Sequence, residues 1–201
     1  MRIVCLDLEG VLVPEIWIAF SEAVGIPELR RTTRDEPDYD KLMRFRLDLL
    51  EKNKLKLPDI QKVIGAMDPL PGAIDFAKAL REKTQLIILS DTFEQFAKPL
   101  MAKLGYPTLF CNSLEAGKDG SITGYKLRQK EGKKHAVAAL KTLNMEVFAA
   151  GDSFNDLAMI QESDGGCLFR APQKIRDDYP HIPCVDIYDD LLSQIDNFLE
   201  K

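Results

Sequence analysis

The chain has 201 residues, 45% of them hydrophobic and 29% charged, with a net charge of −5. That balance suits one domain with a sizeable insertion or two small ones, and it argues against nucleic acid as the main partner, since phosphate neutralisation needs lysine and arginine in excess. There is no apolar leader, no run of about 18 uncharged apolar residues and no CxxC pair among the four cysteines, so the expectation is a reduced, cytoplasmic protein with no membrane partner and no zinc site.

Residues 3–6 (IVCL) form a continuous apolar run, the pattern of a strand buried on both faces. The run delivers Asp7 and Glu9 into a turn at Gly10. Residues 14–24 then carry Ile16, Ala19, Phe20, Ala23 and Val24 at helical spacing, closed by Gly25 with Pro27 beyond. A mixed-charge segment, RRTTRDEPDYD (30–40), reads as a solvated stretch. A second helix is expected over 39–52, with Leu42, Phe45, Leu49 and Leu50 on one side, and a third over 58–67. The two prolines and glycine of DPLPG (68–72) end this interval. Helix without strand from 13 to 68 reads as an insertion placed over the carboxyl end of the first strand. The expected division is a core of 1–13 and 69–201 with a helical cap of 14–68.

From residue 71 the pattern alternates. A helix over 73–83 leads to a buried strand, QLIILSD (85–91), and a helix over 93–104 stops at Gly105. A short strand over 108–111 and a hairpin signal at Asp119-Gly120 follow. Then come a helix over 133–143, a strand over 147–152, a helix over 155–161, short strands over 166–169 and 183–187, and a closing helix over 188–199. Such alternation predicts an α/β fold: a Rossmann-like parallel sheet with helices on both faces, plus the small helical cap.

Three apolar runs end in polar clusters: LDLEG at Asp7, ILSDT at Ser90 and AAGDSFND at Asp152. In a parallel sheet all three lie on one edge, the edge where ligands bind. KEGKK adds an ammonium at a helix start, and spacing alone leaves Lys130, Lys133 and Lys134 open. Asp7, Glu9 and Asp152 are hard oxygen donors of the kind Mg²⁺ takes. Asp7 is then a carboxylate able to attack phosphorus. Ser90, the backbone N–H of Asp91 and a lysine would hold phosphate oxygens. Glu9 would act as general acid and base. Asn155 and Asp156 would brace the metal and its waters. Plainer readings stand beside these: Ser90 as a helix cap, Asp156 as a first-turn carboxylate, Trp17, Phe20 and Phe45 as core, His135 as surface.

These blocks resemble the haloacid-dehalogenase-like phosphohydrolases, whose signatures are DxDx(T/V), a Ser or Thr after the second strand, a lysine, and GDxxxD. GDSFND and DLEGV match, apart from Glu9, where most of the family's phosphatases carry Asp. The resemblance implies Mg²⁺ as cofactor, Lys133 as the phosphate-binding lysine, and the helical insertion as a cap. Within the family, Glu15 and Arg46 (in YDKLMRFRLDLL) look like the substrate residues of the phosphoserine phosphatase group, implying phosphoserine as substrate. Glu15 would answer the ammonium and Arg46 the carboxylate, against the plainer readings of an exposed first-turn carboxylate and a solvated arginine with Arg44 as rival. DLEGVLVPEIWIAF and YKLRQK resemble a variant described as both phosphoserine phosphatase and homoserine kinase, which implies homoserine as a second acceptor. Glu9 belongs to that variant's pattern, its extra methylene moving the carboxyl by about 1.5 Å. Competing readings are a phospho-aspartate receiver module and a phosphatase for another small ester. Receivers are shorter and lack both the helical insertion and the GDSFND block.

Overall fold

Strand β1 (Arg2–Leu6) sends its side chains alternately to two cores: Val4 and Leu6 to one, Ile3 and Cys5 to the other. The computed structural model describes residues 1–33, 35–36 and 38–201; Arg34 and Pro37, in the expected mixed-charge stretch, lie outside them. Beyond β1 the chain enters three helices, α1 (Ile16–Val24), α2 (Tyr39–Lys52) and α3 (Leu57–Ala66). Helix α1 stops where expected, at Gly25, whose φ of 68° is left-handed backbone that glycine takes without a Cβ penalty. Its buried side is Ile16, Trp17, Phe20 and Ser21, so the helix is rotated toward Trp17 relative to the face read from sequence. On α2 the buried residues are Leu42, Met43, Arg46 and Leu50. Phe45 and Leu49, expected inside, are half-buried.

The rest alternates: α4 (Ala73–Lys83), β2 (Gln85–Phe93), α5 (Glu94–Lys103), β3 (Thr108–Ala116), β4 (Ile122–Lys126), α6 (Gly132–Thr142), β5 (Glu146–Gly151), α7 (Leu157–Glu162), β6 (Gly165–Phe169), α8 (Gln173–Asp178), β7 (Cys184–Val185) and α9 (Tyr188–Leu199). Helix α8 was not expected; its six residues are too few to show a helical period. The strand order is β4-β3-β2-β1-β5-β6-β7, parallel throughout except for the β3–β4 hairpin. Helices α4, α5 and α9 cover the Leu6 face, together with residues of α1–α3, while α6, α7 and α8 cover the Cys5 face. Fully buried aliphatics such as Leu6, Ile88 and Leu168 each contribute about 1.5–3 kcal/mol. No helix among the described residues is long and apolar enough to cross a membrane.

Two features of the sheet position the site. Strand β1 pairs with β2 on one side and β5 on the other, so chain order reverses around it and a crevice opens beyond the carboxyl ends. Strand β2 runs on to Phe93, but its register against β3 shifts between Leu89 and Phe93. Ser90 and Asp91 lie in that irregular stretch, where a bulge re-aims side chains.

Candidate active site

Asp7 follows β1 directly, its N–H donating to Ala150 O at 3.0 Å, which ties the end of β1 to the end of β5. The side chain is buried. Its Oδ1 accepts from the Leu8 N–H at 2.7 Å and lies 2.9 Å from Lys133 Nζ. Lys133 stands in the first turn of α6 and is buried too, whereas Lys130 is exposed and Lys134 half-buried. Its ammonium also reaches Asp156 Oδ1 at 2.7 Å and Asp91 Oδ2 at 3.6 Å. Burial opposes that charge, yet Asp156, Asp7 and Asp91 together hold the lysine well above its usual pKa. Burial, then the charges of Asp156 and Asp152, push the Asp7 carboxyl well above the usual carboxylate range against the pull of Lys133. Both directions describe a site short of positive charge.

Asp156 is the knot of the site. It is fully buried, and its Oδ2 accepts from the Asp152 N–H (3.1 Å), the Ser153 N–H (3.0 Å) and the Ser153 hydroxyl (2.7 Å), while Oδ1 takes Lys133. Those bonds curl 154–156 into a 3-10 turn, so the following helix begins at Leu157 rather than at 155 as expected. Asn155, exposed, donates to Asp91 Oδ2 at 2.9 Å. Ser90 is buried, and its hydroxyl accepts from the Thr92 N–H at 3.2 Å. Gly10 lets the β1 loop approach: at φ 78° a Cβ there would sit 2.4 Å from Asp152 Oδ2.

Above this floor, α1 and α2 supply the roof. Glu9 reaches α1: its Oε2 accepts the Ile16 N–H at 2.8 Å, satisfying an orphan donor at the start of that helix. Burial and then Glu15 push its pKa up to about 7, against the Ile16 N–H, Arg46 and Lys133, a value suited to giving and taking a proton near neutrality. Glu15 is half-buried at the N-cap of α1. Arg46 is buried, and Arg44 is exposed. The Arg46 Nη2 donates to Arg31 O at 2.6 Å, and its Nε is buried with no hydrogen-bond partner among the described residues. One pocket is lined by Asp7, Glu9, Glu15, Arg46, Ser90, Asp91, Lys133, Asp152 and Asn155, with Asp156 beneath it. Trp17, expected in the core, also lines that pocket, while Phe20 is fully buried.

The donor set fits a hard cation, with one change of membership. Among the described residues, Asp7, Asp152 and Asp156 bring oxygens within 4.8 Å of one another; Glu9, expected as the third carboxylate, stands outside that group because it caps α1. The carboxylates gathered here outnumber the Lys133 ammonium beside them, an imbalance that a divalent ion would relieve. Both Asp156 oxygens already accept from protein donors, which suits it to bracing more than to ligation.

A carboxylate just past β1, an ammonium from the start of α6 against it, a Ser late in β2 and the GDSFND turn form the kind of site that a phosphohydrolase uses. The haloacid dehalogenase-like hydrolase family profile matches residues 1–164, and the chain belongs to that family. The receiver reading gives way on that match. Among its relatives is phosphoserine phosphatase ThrH of Pseudomonas aeruginosa, 53% identical over 191 residues, or 95% of this chain and 93% of that protein. A phosphoserine phosphatase of Pseudomonas syringae pv. tomato is 52% identical over 95% of this chain and 81% of its own length. The crystal structure of a phosphoserine phosphatase in apo form matches with a TM-score of 0.75 at 22% identity, covering 93% of this chain and 94% of that one, which bears on the fold alone.

Proposed function

We propose that this chain is a Mg²⁺-dependent phosphoserine phosphatase working through a phosphorylated Asp7, and that homoserine can accept the phosphoryl group in place of water. The observation that carries the reading is one pocket with a buried carboxylate–ammonium floor and a roof holding Glu15 and the unpartnered Nε of Arg46. Phosphoserine presents a phosphate, an ammonium and a carboxylate, and those groups match floor, Glu15 and Arg46 in turn. Identity of 53% to a protein named phosphoserine phosphatase ThrH supports the same substrate.

Residues 14–68 act as a cap over a core of 1–13 and 69–201. Asp7 and Asp152 would hold the cation, with Asp156 fixing the Asp152 loop and Lys133. Bound Mg²⁺ supplies charge neutralisation for the crowded carboxylates and the phosphoryl group. An Asp7 oxygen attacks phosphorus, and the bond from phosphorus to the seryl oxygen breaks. Glu9 gives its proton to that departing oxygen. Ser90, the Asp91 N–H and Lys133 hold the other phosphoryl oxygens where charge spreads, and Asn155 steadies Asp91. Water, or the hydroxyl of homoserine, then attacks phosphorus, Glu9 takes the proton, and the Asp7 carboxylate is restored.

Phosphate release should be measured on phosphoserine, phosphothreonine and glucose 6-phosphate, with Mg²⁺ or with EDTA. The expected result is Mg²⁺-dependent release favouring phosphoserine by about tenfold or more. With homoserine added, ³¹P NMR should show a new phosphomonoester, phosphohomoserine. A preference for glucose 6-phosphate would contradict the substrate; hydrolysis without any phosphohomoserine would remove the transfer and leave the phosphatase.

A further inference from the structure

We propose that Trp17 is a positioning residue, whose indole face holds the Arg46 guanidinium in the pocket wall so that selection of a substrate carboxylate depends on it. This rests on reading the pocket as a phosphoserine site.

A buried guanidinium has five N–H donors to satisfy and a hydration shell to replace. Arg46 is 5% exposed, and its only short hydrogen bond among the described residues is from Nη2 to Arg31 O. Nη1 makes a weak contact with Met43 Sδ at 3.8 Å. Among the described residues Nε has no hydrogen-bond partner, and Glu9 and Glu15 act on the guanidinium through space, with no hydrogen bond to it. What lies against the group is the Trp17 ring, its centroid 4.4 Å from the guanidinium carbon. Trp17 is itself held, edge to face against Phe20 at 6.2 Å and Phe96 at 5.6 Å, both fully buried. Phe96 meets Phe93 at the end of β2 in turn, so a chain of rings joins the sheet edge to the pocket arginine.

The choice of a ring over a carboxylate has a chemical consequence. A carboxylate partner would neutralise Arg46 and take up its in-plane donors. An indole face attracts the cation through its quadrupole and leaves those in-plane N–H groups for an incoming anion. The arginine is thus fixed in place without being spent.

The test compares kcat/KM for phosphoserine with that for O-phosphoethanolamine, which has the phosphate and the ammonium but no carboxylate, in wild type, Trp17→Leu and Trp17→Phe. Wild type should prefer phosphoserine. Trp17→Leu should lower kcat/KM for phosphoserine about tenfold, mainly through KM, and lower that for phosphoethanolamine by a clearly smaller factor, so that the ratio of the two falls. Trp17→Phe, which keeps a weaker face, should fall between. Both substrates are measured on the same preparation, so the ratio does not depend on how much of a variant is folded, and Trp17→Phe decides if Trp17→Leu gives no protein. Variants that keep the wild-type ratio, or lose both substrates equally, overturn the role of Trp17. A wild-type enzyme with no preference for the carboxylate overturns the reading of the pocket instead.

Discussion

Asp7→Asn should lower phosphate release from phosphoserine by at least about a thousandfold, because an amide cannot form the bond to phosphorus that the carboxylate forms. The change is nearly isosteric, and the amide oxygen can still accept the Leu8 N–H. Its effect on stability should have the opposite sign. Burial and the neighbouring Asp156 and Asp152 raise the Asp7 pKa in the folded state above its unfolded value, so at neutral pH the ionised carboxylate weakens the fold. That penalty is absent at low pH and grows as pH rises through the unfolded carboxylate range. In EDTA at neutral pH, Asp7→Asn should therefore melt at or above the wild-type Tm, and the two should converge as the buffer is made acidic. Assays and thermal melts on the same preparations check both halves. An Asp7→Asn protein that still turns over phosphoserine is incompatible with the mechanism.

Lys133→Met should produce the largest loss of stability. Its ammonium sits within 4 Å of Asp7, Asp91 and Asp156, and both it and Asp156 are buried. Removing one partner of a buried ion cluster leaves uncompensated charge and costs about 3–5 kcal/mol. For a chain of this length that is a fall in Tm of roughly 10 °C. Methionine fills most of the volume, so the loss measures charge more than packing. Mg²⁺ should raise the Tm of Lys133→Met by more than it raises that of wild type, since the variant's carboxylates lack the lysine ammonium. Activity should fall about a hundredfold or more with the loss of a donor to the phosphoryl group. Circular-dichroism melts with and without Mg²⁺ are the check, and an unchanged Tm would refute the charge argument.

Much of the architecture is legible in residue order because the sheet is buried on both sides. Continuous apolar runs such as IVCL and the stretch before Asp152 mark interior strands, and their ends mark one edge. Helices with a long apolar stripe and a clear stop, α2, α4 and α9, lie over the expected residues. What sequence did not show is where side chains turn after a strand ends. Glu9 follows Asp7 by two residues and reads as a third metal carboxylate, but the tight loop in which Leu12 N and Val13 N both donate to Leu8 O carries it toward α1. In the structure Glu15 makes no side-chain cap to its own helix, so the Ile16 N–H takes its acceptor from Glu9, a pairing that residue order does not mark. Residue order points to Asp156 as a brace near the site but does not show it accepting from four donors, since a 3-10 turn leaves no periodic trace.

Arg46 and Trp17 teach a related lesson. Arg46 shares a stripe with Leu42, Met43 and Leu50 at helical spacing, and Arg44 does not, so period alone separates the rivals once the right face is chosen. Phe45 and Leu49 are large apolar residues on a neighbouring stripe, yet they are only half-buried. Trp17 adjoins Ile16 on the buried side of α1, and its apolar character concealed that one ring face meets a cation.

The most direct measurement is the location of the phosphoryl group during turnover. The enzyme with Mg²⁺ and ³²P-labelled phosphoserine is quenched in acid within a turnover, digested at low pH, and the labelled peptide sequenced by mass spectrometry. Label on the peptide containing Asp7, released by hydroxylamine as an acyl phosphate is, is the predicted result. Label on a peptide containing Ser90, or no covalent label while phosphate is being released, would contradict it.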